Sequence, residues 1–327
     1  MPWLIGIDEA GYGPNLGPLV MTAVACRVPP EHAGGKLWQP LRAAVRRPSQ
    51  SDDGRLCVDD SKQVFSQTRG LLELERAVLS LFWTPMATGP LSTNGPLTIH
   101  TWLDHVSPGG KTELGAEPWY QGSTCLPLEA EREHISTAAD RFHHACKENG
   151  IAWASVRSVI VCATRFNHLV DRWDSKGAVL GLAMTELMRA SWNPDGADES
   201  VAFVIDKHGG RNHYTPVLQH ALEDGVVLAR EEKARRSHYE VIGLPRPVTI
   251  TFKPRADAGH FCVALASMVS KYVRELMMAE FNRFWQAQVQ DLKPTAGYPG
   301  DAARYYEQIR PVAASLGLAE ESLWRRK

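Results

Sequence analysis

The most informative segment of the chain is Ile7-Asp8-Glu9-Ala10-Gly11-Tyr12-Gly13-Pro14. The apolar run before it, from Trp3 to Ile7, predicts a buried β-strand that ends in two adjacent carboxylates and a turn rich in glycine and proline. Two like charges about 4 Å apart repel each other by roughly 4 kcal/mol at an effective dielectric constant of about 20. A bound divalent metal ion usually offsets such repulsion, so Asp8 and Glu9 indicate a metal site. A solvated turn is the other interpretation of these residues.

The composition is that of a globular protein with a large core. The chain has 327 residues, 44% of them hydrophobic, which suits one large domain with insertions or two domains. Its formal net charge of -1 excludes a globally basic nucleic-acid binder but is compatible with a local basic groove. No apolar run approaches the length of a membrane span, and a charge at Asp8 interrupts the apolar start, unlike a signal peptide. We therefore expect a cytoplasmic protein without membrane contact.

The six cysteines are scattered without C-x-x-C spacing. This spacing predicts buried thiols in a reducing compartment, and it supports neither a zinc site nor a disulfide framework. The residues are Cys26, Cys57, Cys125, Cys146, Cys162 and Cys262.

Strand and helix patterns alternate along the chain, which predicts an α/β fold built around a mixed sheet. Strands are predicted at residues 3–7, 19–28, 151–164, 201–205 and 248–253. Helices are predicted at residues 66–81, 128–149, 175–191, 258–288 and 301–316. Two further segments are predicted as insertions: 85–128, which is rich in Gly and Pro and has no clear periodicity, and 211–246, with a helix and short strands.

Acidic residues follow three of the predicted strands. Asp8 with Glu9, Asp206, and Asp257 each lie at or just past a strand end. Sites in open α/β sheets form at the carboxyl ends of strands, so these acids could converge. Four carboxylates suit two Mg²⁺ or Mn²⁺ ions, a pair that can activate water for phosphodiester hydrolysis. Each acid alone is also compatible with a surface position, and Asp257 with capping of the following helix.

Five segments around these acids resemble ribonuclease HII, the type 2 ribonuclease H family. Residues 6–20 resemble its first motif, G-I-D-E-A-G-R-G-P-x-x-G-P-V-V, and residues 257–275 resemble its helix motif, D-A-x(4)-I-A-A-A-S-x-x-A-K-x-x-R-D. Three shorter matches are Asp60-Ser61-Lys62 to D-S-K, Val204-Ile205-Asp206 to the strand with the third acid, and Gly297-Tyr298 to the late G-Y-G. The segments cover about a fifth of the chain.

This resemblance implies a ribonuclease H-like fold with large insertions and a helical C-terminal part. Residues 1–290 would form the catalytic domain, with insertions at 85–128 and 211–246, and residues 291–327 a helical extension. It also implies an endonuclease with two Mg²⁺ or Mn²⁺ ions. Its substrates would be RNA–DNA hybrids or DNA duplexes with embedded ribonucleotides, cleaved to a 5′-phosphate and a 3′-hydroxyl.

Residue roles carry over from the family onto the matching positions. Asp8, Glu9, Asp206 and Asp257 would be the catalytic metal ligands. Gly11, Tyr12 and Gly13 would sense the 2′-hydroxyl through their backbone, since glycine lets the main chain approach a sugar closely. Ser61 and Lys62 would support the substrate backbone, and Tyr298 would stack on the sugar beside the cleaved bond.

The chain departs from the family pattern at several positions. Tyr12 replaces an arginine, Lys207-His208-Gly209-Gly210 follows the third acid, and Pro299 interrupts the late motif. These changes leave the substrate preference open. Candidates for the lost phosphate contact are Arg211, Lys253 and Arg255. Two alternatives also stay open: a nucleic-acid-binding protein that kept the fold and lost turnover, and a nuclease acting on another structure, such as a DNA junction.

Several other groups carry competing interpretations. Arg274 is either a surface cation or part of the site, and His208 is a candidate proton-transfer group that the family does not use. Trp324-Arg325-Arg326 is similar to a basic end of the family. Surface or core roles are expected for His143 and His144, and core positions for Phe281, Phe284 and Trp285.

Overall fold

The structure, a computed structural model, describes residues 1–66, 68–83, 97–107, 114–115, 117–122, 124–191 and 199–326. Much of the predicted insertion at 85–128 lies outside these residues. No helix in the described part of the chain has the length and apolar character that a membrane crossing requires.

The described strands form one large mixed sheet and one small parallel pair. Their bounds are β1 (Trp3–Ala10), β2 (Leu19–Arg27), β3 (Val45–Arg46), β4 (Leu56–Cys57), β5 (Ala152–Val161), β6 (Val201–Asp206), β7 (Val226–Lys233), β8 (Arg236–Ile242) and β9 (Val248–Lys253). The large sheet has the order β5-β2-β1-β6-β9-β8-β7. β1, β6 and β9 are parallel neighbours, and the other pairs are antiparallel.

Helices cover both faces of this sheet. Their bounds are α1 (Ser61–Val64), α2 (Leu72–Trp83), α3 (Ile99–Val106), α4 (Arg132–Glu148), α5 (Ala163–Trp173), α6 (Lys176–Ser191), α7 (Thr215–Ala221), α8 (Phe261–Gln286), α9 (Pro299–Ser315) and α10 (Glu320–Leu323). Short 3₁₀ helices lie at Pro30–His32, Pro118–Tyr120 and Ala256–Ala258. Residues of α2, α4 and α8 pack on one face, and those of α5, α6 and α7 on the other.

The central strands are buried on both faces, which explains their nearly continuous apolar sequences. In β1, Leu4 belongs to one core cluster, whereas Ile5 and Ile7 belong to the other. α8 lies directly against β1. A side chain at Gly6 would bring a Cβ atom within 2.3 Å of the Cys262 and Val263 backbone, so this approach requires glycine.

The predicted fold class, a ribonuclease H-like α/β fold with a mixed central sheet flanked by helices and a helical C-terminal part, is confirmed by this arrangement. Within the predicted insertion 211–246, β7 and β8 extend the central sheet at its edge. The division into a catalytic domain at 1–290 and an extension at 291–327 stays a prediction.

Some element boundaries differ from the predicted ones. The helix predicted at 66–81 begins only at Leu72, because the Glu129 carboxylate accepts from the amides of Leu71 and Leu72, a cap from 57 residues further along the chain. Pro299, which interrupts the late motif, is the first residue of α9, where a missing N–H costs nothing. The helix α5 is absent from the prediction, and its N-cap, Cys162, makes no side-chain cap bond.

The described part of the segment 85–128 contains regular structure, contrary to the lack of periodicity. It holds α3 and a 3₁₀ turn, and its residues Trp102 and Trp119 are buried in the core beside α8, as their size predicts. Cys125 is exposed, so the prediction of buried thiols is wrong at this one position, while the other five cysteines are buried.

Candidate active site

The acidic residues converge because their strands are parallel neighbours. Asp8 lies near the end of β1, Asp206 is the last residue of β6, and Asp257 lies in the 3₁₀ turn after β9. The register places Ile7 beside Ile205, so the carboxyl ends of these strands meet at one edge of the sheet. Together with Glu9, the acids line a cavity of about 370 Å³, which we call the acidic pocket.

All ten residues that the family resemblance singles out line the acidic pocket. Besides the four acids these are Gly11, Tyr12, Gly13, Ser61, Lys62 and Tyr298. Ala10, Asp60, Ser267, Lys271 and Arg274 complete the lining. The structure thus brings together residues from the two ends and the middle of the chain, although their roles stay predictions.

Main-chain amides orient three of the carboxylates. Asp8 Oδ1 accepts from the Glu9 amide at 2.8 Å, Asp206 Oδ1 from the Ala256 amide at 2.7 Å. Asp257 Oδ1 accepts from the Ala258 amide at 2.8 Å. The alternative role of Asp257 as the cap of the following helix is wrong, because His260 holds the N-cap position of α8.

Burial and mutual repulsion act on all four acids. Burial raises the pKa of Asp8 well above its usual value, and the nearby carboxylates of Glu9, Asp206 and Asp257 raise it further. Burial also raises the pKa of Glu9 to about 7 and that of Asp257 to about 6. Lys62 lowers both pKa values but does not restore either to its usual range. The cations in the pocket lining therefore do not offset the repulsion among the four acids.

The donor set fits a divalent cation. Glu9 Oε2 is buried without a hydrogen-bond partner, and none of the four acids has an ion pair among the described residues. Carboxylate oxygens are the ligands that Mg²⁺ and Mn²⁺ prefer. At the same time, no group of three or more His, Cys, Asp or Glu side chains in the described ranges is arranged to hold a metal ion. The acids line the pocket without forming a closed coordination shell.

Two buried arginines hold the glycine turn, residues 11–17, beside this pocket. Arg325 donates to the carbonyls of Gly11 at 2.7 Å and Tyr12 at 2.9 Å, and its guanidinium lies 4.2 Å from the centre of the Phe166 ring. Gly11 has φ = 87°, and a Cβ there would lie 2.6 Å from the Arg274 side chain. The turn therefore needs glycine both for its backbone and for its packing.

The burial of these arginines has no local signal in the sequence. Arg274 and Arg325 are each 1% exposed, and Arg274 donates to the carbonyl of Ala296 at 2.7 Å. Their partners are backbone carbonyls in distant loops. The only sequence feature that singles out Arg325 is a basic C-terminal end similar to that of the family. This feature does not predict that the side chain is buried.

Tyr298 stands at the open side of the pocket. It is 49% exposed, precedes α9 as its N-cap residue, and has the Arg274 guanidinium 5.6 Å from its ring centre. Gly13 lies opposite, where a Cβ would be 3.9 Å from the Tyr298 ring. Tyr12 is half-buried, with Lys176 Nζ 4.8 Å from its ring centre. The pocket thus combines acids at its base with aromatic rings at its rim.

The sequence candidates for proton transfer and phosphate binding lie outside the acidic pocket. His208 does not line the acidic pocket; burial lowers its pKa to about 3, and its ring packs edge-on against Tyr214 and Phe252. A role for His208 in proton transfer is therefore unsupported. Arg211, Lys253 and Arg255 are also absent from the pocket lining.

Two further predictions are confirmed, a surface position for a pair of histidines and core positions for three aromatic residues. The surface interpretation holds for His143 and His144, which are exposed on α4. Phe281 and Trp285 are buried in the core, and Phe284 packs against it.

No family model and no curated protein sequence matches the chain. Solved structures do match. Ribonuclease HII of Archaeoglobus fulgidus, in its complex with PCNA, is 13% identical, with a TM-score of 0.45 over 99% of this chain and 94% of that one. Ribonuclease H2 from Pyrococcus horikoshii OT3 is 13% identical, with a TM-score of 0.43 over 98% and 92%.

A third structure, Bst-RNase HIII in complex with Mn²⁺, is 15% identical, with a TM-score of 0.40 over 99% of this chain and 66% of that one. These are structures of ribonucleases H of types HII and HIII, and the sequence motifs of this chain resemble ribonuclease HII.

Proposed function

We propose that the chain is a type 2 ribonuclease H. It hydrolyses the RNA strand of RNA–DNA hybrids, or cleaves at ribonucleotides embedded in duplex DNA, leaving a 5′-phosphate and a 3′-hydroxyl. The observation that carries the proposal is the acidic pocket itself: four carboxylates at or just past the carboxyl ends of three adjacent parallel strands, without an ion-pair partner among the described residues.

Asp8, Glu9, Asp206 and Asp257 would hold two Mg²⁺ or Mn²⁺ ions. When bound, such a pair lowers the pKa of an attacking water and stabilises charge on the leaving oxygen. The backbone amides that orient three of the acids keep their carboxylates in place before any ion binds, which limits the reorganisation needed on binding.

The glycine turn would recognise the sugar. Because the carbonyls of Gly11 and Tyr12 already accept from Arg325, the amide N–H groups of the turn are the better placed contacts for a ribose 2′-hydroxyl. The 2′-hydroxyl can accept such a bond, and it is the group that distinguishes RNA from DNA. A Cβ at Gly13 would face Tyr298, whose exposed ring would pack on the neighbouring sugar.

The cations of the pocket would bind the phosphate. Lys62 already acts on the acids electrostatically, and Ser61 beside it accepts a hydrogen bond from Ser267 Oγ at 3.1 Å. Lys271 is engaged with Glu275 at 2.5 Å. Lys62 is therefore the side chain we expect to contact the substrate backbone, with Ser61 beside it.

The direct test is cleavage of three labelled duplexes: DNA with one ribonucleotide, DNA with an RNA stretch, and all-DNA. Each is incubated with Mg²⁺, Mn²⁺ or EDTA. We expect metal-dependent cleavage 5′ of a ribonucleotide, lost in Asp8→Asn. Asp224→Asn, an exposed acid outside the pocket, is the matched control and should cleave normally.

The alternative outcomes separate the alternative functions. Cleavage of the RNA stretch alone would mean that Tyr12, in place of arginine, has shifted the preference. Cleavage of the all-DNA duplex would indicate a nuclease for another structure. Binding without cleavage of any duplex would indicate a nucleic-acid-binding protein.

A further inference from the structure

A second cavity lies next to the acidic pocket, and its lining is basic. It has a volume of about 630 Å³ and, among the described residues, no acidic side chain lines it. We call it the basic pocket. Its cationic residues are Lys36, Arg42, Arg46, Arg47 and Arg55. So many cations in one cavity are notable in a chain with a net charge of -1.

The two pockets share a wall. Ala258 and Gly259 line the basic pocket, and they directly follow Asp257 of the acidic pocket. Arg47 binds this wall, since it donates to the Ala258 carbonyl at 3.1 Å. It also pairs with Asp59 at 2.8 Å, next to the segment Asp60–Lys62 that lines the acidic pocket. The two cavities therefore adjoin at the segment 257–259.

Three of the five cations have structural partners. Arg46 pairs with Glu73 at 2.7 Å, and Arg55 with Asp53 at 2.9 Å. Arg47 stacks on the Trp38 ring, with its guanidinium carbon 3.8 Å from the ring centre. These contacts build the walls of the basic pocket and pair three of its cations with acids, so its uncompensated positive charge comes from the other two.

Lys36 and Arg42 are different. Both are exposed, and neither forms an ion pair within the described ranges. The guanidinium of Arg42 donates only a long bond, 3.4 Å, to the Gln39 carbonyl. The loop that carries Lys36 is fixed, because the Gly35 carbonyl accepts from the Phe261 amide at 2.9 Å at the start of α8. These two cations are thus held at the cavity with their charge available.

We infer that the basic pocket binds the sugar–phosphate backbone of the substrate duplex, on one side of the cleaved bond, through Lys36 and Arg42. This inference rests on the proposed function, since the duplex must first occupy the acidic pocket. Contacts to phosphates position a duplex without reading its sequence. They also make binding depend on salt, because each neutralised phosphate releases counterions.

The test measures duplex binding by the full chain in the Asp8→Asn background over a series of salt concentrations. Three duplexes are compared: a short one centred on a ribonucleotide, and two long ones extended with DNA on opposite sides. For Lys36→Ala/Arg42→Ala we expect roughly ten- to thirtyfold weaker binding of one long duplex only, with the slope of log K against log salt smaller by about 1.8. Binding of the short duplex should be unchanged.

Two control variants accompany it. Arg172→Ala/Arg310→Ala removes the same charge from exposed positions outside both pockets, and it should bind all three duplexes as the parent does. Lys36→Arg/Arg42→Lys keeps the charge and should retain binding of the long duplex. An unchanged unfolding midpoint shows that each variant is folded.

The inference is overturned if Lys36→Ala/Arg42→Ala binds both long duplexes with the parental affinity and salt slope. It is also overturned if the short duplex loses as much affinity as the long one, because the contact would then lie in the acidic pocket. In both cases cleavage by the wild type leaves the proposed function intact. If the wild type neither binds nor cleaves any duplex, the proposed function itself fails.

Discussion

Two clusters of like charge lie side by side at the end of β1, and they are held in opposite ways. In the acidic pocket, Asp8, Asp206 and Asp257 accept hydrogen bonds from backbone amides. Beside it, Arg274 and Arg325 donate to backbone carbonyls around the glycine turn. In the described part of the chain, no ion pair joins the two clusters.

This separation has a functional consequence. If the arginines paired with the acids, the site would be neutral and would have little affinity for a divalent cation. The acids are held by the main chain instead, so no side-chain cation neutralises them and their ionised forms are unfavourable. Burial accordingly raises the pKa of each acid. The arginines repel one another as well: burial, and after it the charge of Arg274, lowers the pKa of Arg325 to about 9. The repulsion among the acids would favour binding of a cation, whereas the arginines fix a loop.

The largest expected effect comes from removing one acid. Asp8→Asn should reduce cleavage by about a thousandfold or more, since it removes a ligand of the proposed ions. In metal-free buffer it should also stabilise the fold by about 1 kcal/mol, because one buried repulsive charge disappears while the amide oxygen can still accept from Glu9. Activity assays measure the loss of cleavage, and urea unfolding measures the gain in stability. A loss of stability would contradict the idea of repulsion among the acids.

Removing an arginine should act in the opposite direction on stability. Arg325→Ala leaves the carbonyls of Gly11 and Tyr12 without their donor and opens a gap beside Phe166. We expect a loss of about 3 kcal/mol in the free energy of unfolding, and lower activity through a loosened turn. The neighbouring Arg326 is the matched control: it is half-exposed and pairs with Asp171 at the surface, so Arg326→Ala should cost less than about 1 kcal/mol. Equal losses for the two variants would show that the hydrogen bonds from Arg325 to Gly11 and Tyr12 do not stabilise the fold.

The repulsion among the acids should also be visible in the pH dependence of stability. The folded-state pKa of Glu9 is raised from 4.5 to about 7. The stability associated with the neutral form is therefore fully present below pH 4.5 and is lost as the pH rises through about 7. Without metal, the wild type should lose up to about 3 kcal/mol over this range, and Glu9→Gln should lose less. Mg²⁺ or Mn²⁺ should reduce the loss.

Glu117 offers a control for that experiment. Burial also raises its pKa to about 7, and its Oε2 is buried without a partner, but it does not line the acidic pocket. Glu117→Gln should likewise flatten the pH dependence. Divalent metal should not change the contribution of Glu117. A metal response that persists in Glu9→Gln and disappears in Glu117→Gln would contradict the proposed ligand set.

The smallest expected effect concerns the turn between the two clusters. Tyr12→Arg restores the residue type of the resembling family and should improve cleavage at a single ribonucleotide by about tenfold, the value of one charge-assisted hydrogen bond. Lys176, 4.8 Å from the Tyr12 ring centre, would partly oppose the new charge. The relative rates on the single-ribonucleotide and RNA-stretch duplexes measure the change. No change in this ratio would mean that Tyr12 does not set the preference.

Much of the site could be predicted because its signals are local. The apolar runs before Asp8 and Asp206 identify buried strands, and the alternating pattern before Asp257 identifies a third. Since parallel strands present their carboxyl ends at one edge, three such ends with acids already indicate a common pocket. The helix boundary at Leu72 could not be predicted in this way, because its cap, Glu129, comes from a distant segment.

The strand pattern, the acids at the strand ends and the glycine in the turn follow from local sequence, because each depends on the periodicity or steric demands of neighbouring residues. Folding of the whole chain is needed to bring Arg325 to a turn 313 residues away, and to bring the loop with Arg47 against Ala258. These contacts could not be predicted from the sequence because both arginines donate to backbone carbonyls. Every residue has a carbonyl, so the side-chain pattern carries no sign of such a partner until the chain has folded.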